Sequence, residues 1–152
     1  MKKSDNSLPE KFGPCGLLCE KCFAFEGGPI KNHAEQLKHY LGNFDNYAAR
    51  FVTLLNEPTF EKYKDFKDLL HLFSTGTCKG CRKQECHLFS DCKVKDCYKT
   101  KNVDFCFECG EFPCDKTGFD ENLQQRWIKL NTEIREIGLE NYYNRIKNKP
   151  RY

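Results

Sequence analysis

Between residues 30 and 74 the apolar positions recur every three or four residues, which is the spacing of a helix with one apolar face. The first run of apolar positions comprises Leu37, Leu41, Phe44, Ala48, Phe51 and Leu55. Gly42-Asn43 predicts a break within this run, and Pro58 predicts the first turn of a further helix. The predicted buried face of that helix, which ends at Gly76, comprises Phe60, Tyr63, Phe66, Leu69, Leu70 and Phe73.

The C-terminal region follows the same periodicity. Asp120 is a plausible N-cap, and Gly138 has the character of the residue that follows a helix C-terminus. Between them the apolar stripe comprises Leu123, Trp127, Leu130, Ile134 and Ile137. A short last helix is predicted over residues 139–146, followed by a basic, frayed tail over residues 147–152.

The block between the helical regions lacks a sustained apolar period. Residues 77–118 are rich in Lys and Cys, and such a segment buries too little apolar surface to offset its ordering entropy. Bound metal can supply the deficit, since one structural zinc contributes on the order of 10 kcal/mol to folding. The sequence therefore predicts a mainly α fold with a cysteine-rich, loop-rich metal-binding block, either a small α+β unit or an irregular zinc-knuckle region packed on helices.

The predicted organisation is a single domain over residues 1–152. Within it we expect an N-terminal cysteine motif at 13–29 and a helical segment at 30–76. The cysteine-rich metal-binding block follows at 77–118, and the C-terminal helices at 120–147.

Composition and charge narrow the class of protein. The 152 residues carry a formal net charge of +3, which is too small to imply a nucleic-acid or membrane partner. No apolar run reaches the roughly 18 residues of a membrane-spanning helix, and no secretory signal is legible. A cytoplasmic location is expected, with no membrane association. The partner stays open, with a protein as one candidate and nucleic acid disfavoured.

The 11 cysteines are the candidate chemistry of this chain. Disulfides are rare in a reducing compartment, and clustered thiols there indicate metal thiolates. The clusters are CGLLCEKC at 15–22, CKGC at 78–81, CHLFSDC at 86–92, CKVKDC at 92–97 and CFECGEFPC at 106–114. Every cysteine is therefore a candidate metal ligand: Cys15, Cys19, Cys22, Cys78, Cys81, Cys86, Cys92, Cys97, Cys106, Cys109 and Cys114.

Tetrahedral zinc takes four ligands, so these thiols suffice for two ions, or for three if His87 joins. We expect the three cysteines at 106, 109 and 114 to share one ion with Cys97 or Cys92. Cys78 and Cys81 would hold a second ion, completed by Cys86 or His87 and by Cys92 or Cys97. The 15–22 triplet would lie on a helix that begins near residues 16–18, whose positive N-terminal end would lower the pKa of the thiols. Its fourth ligand would come from block 78–114 or be exogenous.

Thiolate ligands alone do not distinguish zinc from an iron–sulfur cluster. A [4Fe-4S] redox or electron-transfer protein is therefore an alternative, although the chain is too short for a radical S-adenosylmethionine barrel. An enzyme using an open metal position at Cys15, Cys19 and Cys22 is a further alternative. The sequence indicates no catalytic residues, and whether the protein is an enzyme stays open.

The ordered combination of CGLLCEKC, CKGC, CKVKDC, CFECGEFPC and the late REIGLENY resembles the domain-of-unknown-function family numbered 3795. The resemblance spans roughly residues 13–143. Val94-Lys95 stands where members typically carry an Ile-Arg pair. The resemblance implies a cysteine-rich, zinc-binding domain whose cysteine set includes Cys86 less clearly than the other ten, and it implies no known reaction.

Overall fold

The computed structural model describes residues 7–83 and 88–152, and within these ranges the chain is mainly helical. The α-helices are α1 (Pro29–Leu41), α2 (Asp45–Leu54), α3 (Tyr63–Ser74), α4 (Val94–Thr100), α5 (Glu121–Ile137) and α6 (Leu139–Ile146). In the part of the chain that the structure describes, strand pairing is limited to isolated bridges such as that between Phe12 and Leu18. The mainly α prediction is confirmed. In the described ranges no helix combines the length and apolar character needed to cross a membrane.

Local sequence signals account for the helix boundaries. Asp120 caps α5, since its Oδ1 accepts a hydrogen bond of 3.1 Å from the N–H of Leu123. Gly138 ends α5 with φ +81°, and Gly42 follows α1 with φ +48°. Only glycine adopts such angles at little cost. Pro58 opens a 3-10 turn (Pro58–Lys62) that leads into α3. These predicted boundaries are confirmed.

The contacts divide the chain into two compact units. The first unit comprises Met1–Cys22 and Cys78–Tyr152, and the second comprises Phe23–Thr77. The interpretation of the chain as a single domain stays a prediction, because compact units are a finer division than domains.

The second unit contains α1, α2 and α3. Its aromatic cluster includes Phe44 and Tyr63, whose ring centroids lie 5.0 Å apart. The predicted buried face of α3 is wrong in part. Leu70 is buried, but Phe66 and Leu69 are 42% and 55% exposed, because periodicity marks the apolar face and not how completely another element covers it.

The first unit has its core along α5. Trp127, Leu130 and Ile134 are buried, as the apolar stripe predicts, and Phe112 packs edge-on against Trp127 with ring centroids 4.9 Å apart. Burying a side chain of this size contributes about 1.5–3 kcal/mol. The helix therefore anchors the cysteine-rich residues that pack on it.

Three local predictions need correction. Residues 16–18 do not begin an α-helix: Gly16 has φ +82°, and the next helical turn is the 3-10 segment Cys19–Lys21. The cysteine-rich block contains a real helix, α4, anchored by the buried Val94. The C-terminal tail is held rather than frayed, since the ammonium group of Lys21 donates to the carbonyl of Lys147 at 2.9 Å.

Candidate metal centre

Four cysteines of the first unit surround one small cavity of about 30 Å³. Cys97 comes from α4, Cys106 opens the 3-10 segment Cys106–Glu108, and Cys109 follows that segment directly. Cys114 lies five residues further along. We call Cys97, Cys106, Cys109 and Cys114 the C-terminal cysteine cluster. The cavity lining includes Cys97 and not Cys92; that these four cysteines share one ion stays a prediction.

The CFECGE segment forms a tight turn that presents its sulfurs on one side. The N–H of Cys109 donates to the carbonyl of Cys106 at 3.1 Å, and the N–H of Phe112 to the carbonyl of Cys109 at 3.1 Å. The N–H of Glu111 donates to the Sγ of Cys109 at 3.4 Å. Backbone N–H groups directed at sulfur are a usual feature of metal-binding knuckles, because they stabilise the thiolate.

Polar side chains of α5 hydrogen-bond to the backbone of the segment from Phe107 to Cys114. The Arg135 guanidinium donates to the carbonyl of Phe107 at 2.8 Å and to that of Cys109 at 3.2 Å. The Gln124 amide donates to the carbonyl of Cys114 at 2.6 Å. These contacts hold the backbone carbonyls of two cluster members, Cys109 and Cys114, and of Phe107 between Cys106 and Cys109.

Burial controls the ionisation of the cluster. It raises the pKa of the Cys106 thiol to about 12, and the neighbouring Cys97, Cys114 and Cys109 thiols add to the rise. The indole N–H of Trp127 acts in the opposite direction and lowers this pKa. The same N–H is buried, and among the described residues it has no acceptor at hydrogen-bond geometry. The indole N–H therefore lies beside the sulfur of Cys106, which is a strong hydrogen-bond acceptor only as a thiolate.

Two ammonium groups lie beside the cluster. Lys101 and Lys116 line the cavity, and both are paired with Glu111, at 2.8 Å for Lys116. The pKa of each lysine is raised, chiefly by Glu111, with a smaller contribution from Cys109 or Cys114. Cations at this position offset the negative charge that thiolates would bring.

A second group of cysteines meets at Gly13. The place where a side chain would begin at Gly13 lies 3.3 Å from the Sγ of Cys15, 3.6 Å from the Sγ of Cys19 and 3.8 Å from the Cβ of Cys81. We call Cys15, Cys19 and Cys81 the N-terminal cysteine cluster. The sequence placed Cys81 on an ion with Cys78 and with Cys86 or His87, which lie outside the described residues, so that grouping stays a prediction. A position beside the triplet agrees with the expectation of a remote ligand from the cysteine-rich block.

Hydrogen bonds between residues far apart in sequence hold the segment of Cys81 and α5 against the segment that contains Cys15 and Cys19. Arg82, next to Cys81, donates to the carbonyl of Phe12 at 3.0 Å and to that of Pro9 at 3.1 Å. The buried amide of Asn131 donates to the carbonyl of Cys15 at 2.8 Å. Long-range contacts of this kind are not readable from cysteine spacing.

Cys15 of the triplet lies in a buried environment and not at a helix N-terminus. Burial raises the pKa of the Cys15 thiol far above its ordinary value, and the thiols of Cys19, Cys106 and Cys92 raise it further. Only the backbone N–H of Leu17 works in the opposite direction. The expectation of a pKa lowered by a helix N-terminus is therefore wrong for Cys15.

Three further candidate ligands lie in the described residues, and one of them, Cys92, is near enough to Cys15 to raise its pKa. Cys22 is buried and receives a contact of 3.8 Å from the Tyr152 hydroxyl. Cys92 is buried in the core beside Val94, and Cys78 is half-buried. Cys86 and His87 lie outside the described residues. In residues 7–83 and 88–152, no group of three or more Cys, His, Asp or Glu side chains is arranged closely enough to hold an ion.

Residues 11–119 match the family described as "Protein of unknown function (DUF3795)". The chain belongs to the DUF3795 family. The matched range contains every cysteine of this DUF3795 chain, from Cys15 to Cys114. No curated protein and no solved structure matches it.

Sequence reasoning missed the polar residues that support the cysteines of this DUF3795 chain. Gln124, Asn131 and Arg135 were not singled out, and Trp127 was interpreted only as core. The signal was weak but present, because Asn131 directly follows Leu130 in the apolar stripe and is fully buried. A polar side chain in such a position needs hydrogen-bond partners, and here one partner is the Cys15 backbone.

Proposed function

We propose that this DUF3795 protein is a cytoplasmic zinc-binding protein whose thiolate-bound ions stabilise the first unit. One observation carries the proposal: Cys97, Cys106, Cys109 and Cys114 line a single cavity of about 30 Å³. Four cysteine sulfurs are a usual ligand set for structural zinc. Thiolate ligands alone do not separate zinc from a [4Fe-4S] cluster, which stays the alternative that metal analysis distinguishes.

The surroundings of the C-terminal cysteine cluster fit a thiolate site. Four thiolates around zinc carry a formal charge of about −2, which the ammonium groups of Lys101 and Lys116 would partly offset. The indole N–H of Trp127, buried without an acceptor, would gain one in an ionised Cys106. Since the sulfurs are not yet within ligand distance of one point, we expect binding to require rotations of the cysteine side chains.

A second ion is proposed at the N-terminal cysteine cluster. Cys15, Cys19 and Cys81 supply three sulfurs, and Cys22 or Cys78 would supply the fourth. Each of these two residues is separated by two positions from a cluster member, the spacing that lets one turn present both sulfurs to one ion. Filling this site would tie the N-terminal motif to the start of the cysteine-rich block, which is a structural role.

Elemental analysis of single variants tests the proposal. The folded protein is expected to contain two zinc ions per chain, and Cys106→Ser and Cys19→Ser should each remove one of them. Val94→Ala is the matched control, because Val94 lines the same cavity and packs in the same core without a sulfur, and it should keep both ions. Zinc content that Cys106→Ser leaves unchanged would contradict the proposal, and a brown, iron-containing protein would support the [4Fe-4S] alternative.

A further inference from the structure

The first unit contains a second, larger cavity of about 290 Å³, lined by the 16–18 loop, α5, α6 and the C-terminal tail. Five cationic side chains line it: Lys21, Arg126, Lys129, Lys149 and Arg151. Glu133 is the one acidic side chain among its lining residues. That is a marked local excess of positive charge in a chain whose net charge is +3.

The single carboxylate does not neutralise this excess. Glu133 is engaged by the guanidinium of Arg145 at 2.8 Å, so its charge is already balanced by a cation that does not line the cavity. The ammonium groups of Lys129 and Lys149 make no ion pair with any described residue. The cavity therefore concentrates positive charge that the protein does not balance locally.

The tail is held so that its cations stay at the cavity. The Lys21 ammonium donates to the carbonyls of Ile146 at 3.2 Å and of Lys149. The Arg126 guanidinium donates to the carbonyl of Arg151 at 3.1 Å, and the Arg151 guanidinium donates to the carbonyl of Leu18. These bonds leave the Nε of Arg151 buried and without an acceptor among the described residues.

A cavity lined by cations that no nearby carboxylate neutralises favours an anionic ligand. Guanidinium groups bind the oxygens of phosphates and carboxylates particularly well, because their planar N–H donors match that geometry. The cavity also has apolar walls, including Leu17, Leu130 and Ile146. Its chemistry thus matches a ligand with an anionic end and a compact apolar body.

The Tyr142 hydroxyl completes the polar side. The residue lines the cavity, and its surroundings include Glu133 and the guanidinium groups of Arg126 and Arg151. Burial raises its pKa, with Glu133 adding to the rise and the arginines opposing it. The phenol therefore stays protonated at neutral pH and can donate a hydrogen bond to an anion.

We propose that this cavity binds a small phosphate monoester with an apolar substituent. The dianionic head meets the cations of α5 and the tail, and the substituent lies against the leucine and isoleucine walls. A volume of about 290 Å³ is near the lower end of ligand-binding pockets, which limits the substituent to about the size of one ring. A phosphate monoester, which is a dianion, is favoured over a carboxylate, which carries one charge, because five cationic side chains and one carboxylate, that of Glu133, line the cavity.

Isothermal titration of the full-length, metal-loaded protein tests this proposal, with phenyl phosphate as the probe. We expect saturable binding at one site, and at least tenfold weaker binding of benzoate and of inorganic phosphate. Lys129→Gln and Arg151→Gln should each weaken phenyl phosphate at least fivefold. Arg50→Gln, an exposed cation of α2 in the second unit, is the control and should leave binding unchanged.

Several results would overturn the proposal. Equal binding of inorganic phosphate and phenyl phosphate would mean that the cavity recognises no organic body. Unchanged binding by Lys129→Gln would exclude the cavity even if Arg151→Gln disturbs the tail, because the Lys129 ammonium holds no part of the described fold. A single-stranded oligonucleotide that binds more tightly than phenyl phosphate would point to nucleic acid instead.

Discussion

Replacing Trp127 by Phe separates the effect of the indole N–H on folding from its effect on metal binding. In the metal-free protein the substitution removes a buried N–H that has no acceptor, which relieves about 1–3 kcal/mol. It also removes three side-chain heavy atoms from a residue that is 1% exposed, at a cost of about 2 kcal/mol. We therefore expect the free energy of unfolding in urea to change by less than about 1 kcal/mol.

The zinc-loaded protein should respond differently. There the indole N–H would donate to the Cys106 thiolate, and loss of such an outer contact lowers metal affinity about 10–100-fold. That corresponds to about 1.4–2.7 kcal/mol. Competition with a chelator of known affinity measures this difference for wild type and Trp127→Phe.

Phe119→Leu is the matched control for that comparison. Phe119 packs edge-on against Trp127, with ring centroids 6.4 Å apart, and carries no polar group. This variant should lose about 1 kcal/mol of stability while its zinc affinity stays at the wild-type value. The reasoning is refuted if Trp127→Phe binds zinc within twofold of wild type.

Three further results are expected. Gly16→Ala should lower the free energy of unfolding by about 1–3 kcal/mol, because Gly16 has φ +82° and a Cβ there would lie 2.7 Å from Leu130; unchanged urea midpoints would contradict this. The pKa of Glu111 is lowered to about 2 by hydrogen bonds to its two lysine partners, so its contribution to stability is complete above pH 4.5 and is lost as pH falls through 2. An NMR titration midpoint near 4.5 would argue against those ion pairs. Chelation should increase hydrogen exchange over residues 94–118 and leave α1 to α3 protected, whereas unchanged exchange would mean that metal does not hold the segment.

Much of the helical fold was predictable because its signals are local. Asp120 and Gly138 mark the ends of α5 by side-chain and backbone chemistry that acts within one turn. The apolar stripe through Trp127 and Ile134 likewise follows from helical periodicity. At both ends of α5 the pattern of the chain and the structure agree.

The cysteine grouping was predictable only where the members are close in sequence. Cys106, Cys109 and Cys114 lie within one turn-rich segment, and their common cavity follows from short spacing. Cys81 meets Cys15 through Arg82, which bonds to residues about seventy positions earlier. Spacing carries no information about such contacts, so the pairing of Cys81 with Cys86 or His87 was the natural expectation.

The wrong prediction at residues 16–18 has a physical cause. The x3 spacing of Cys15 and Cys19 fits one helical turn, but the N–H of Gly13 donates to the carbonyl of Leu17 at 2.8 Å. A left-handed Gly16 closes that loop instead of opening a helix. Spacing that suits a helix suits a glycine-containing loop as well, and the side chains that pack on the loop decide between them.

X-ray absorption at the zinc edge of the purified protein tests the central claim most directly. The account predicts stoichiometric zinc whose nearest shell consists of four sulfur atoms at about 2.3 Å. The Cys97→Ser variant should keep only the zinc of the N-terminal cysteine cluster, with its sulfur shell intact. A shell dominated by nitrogen or oxygen, or a protein that holds iron with iron–iron scattering in place of zinc, would contradict it.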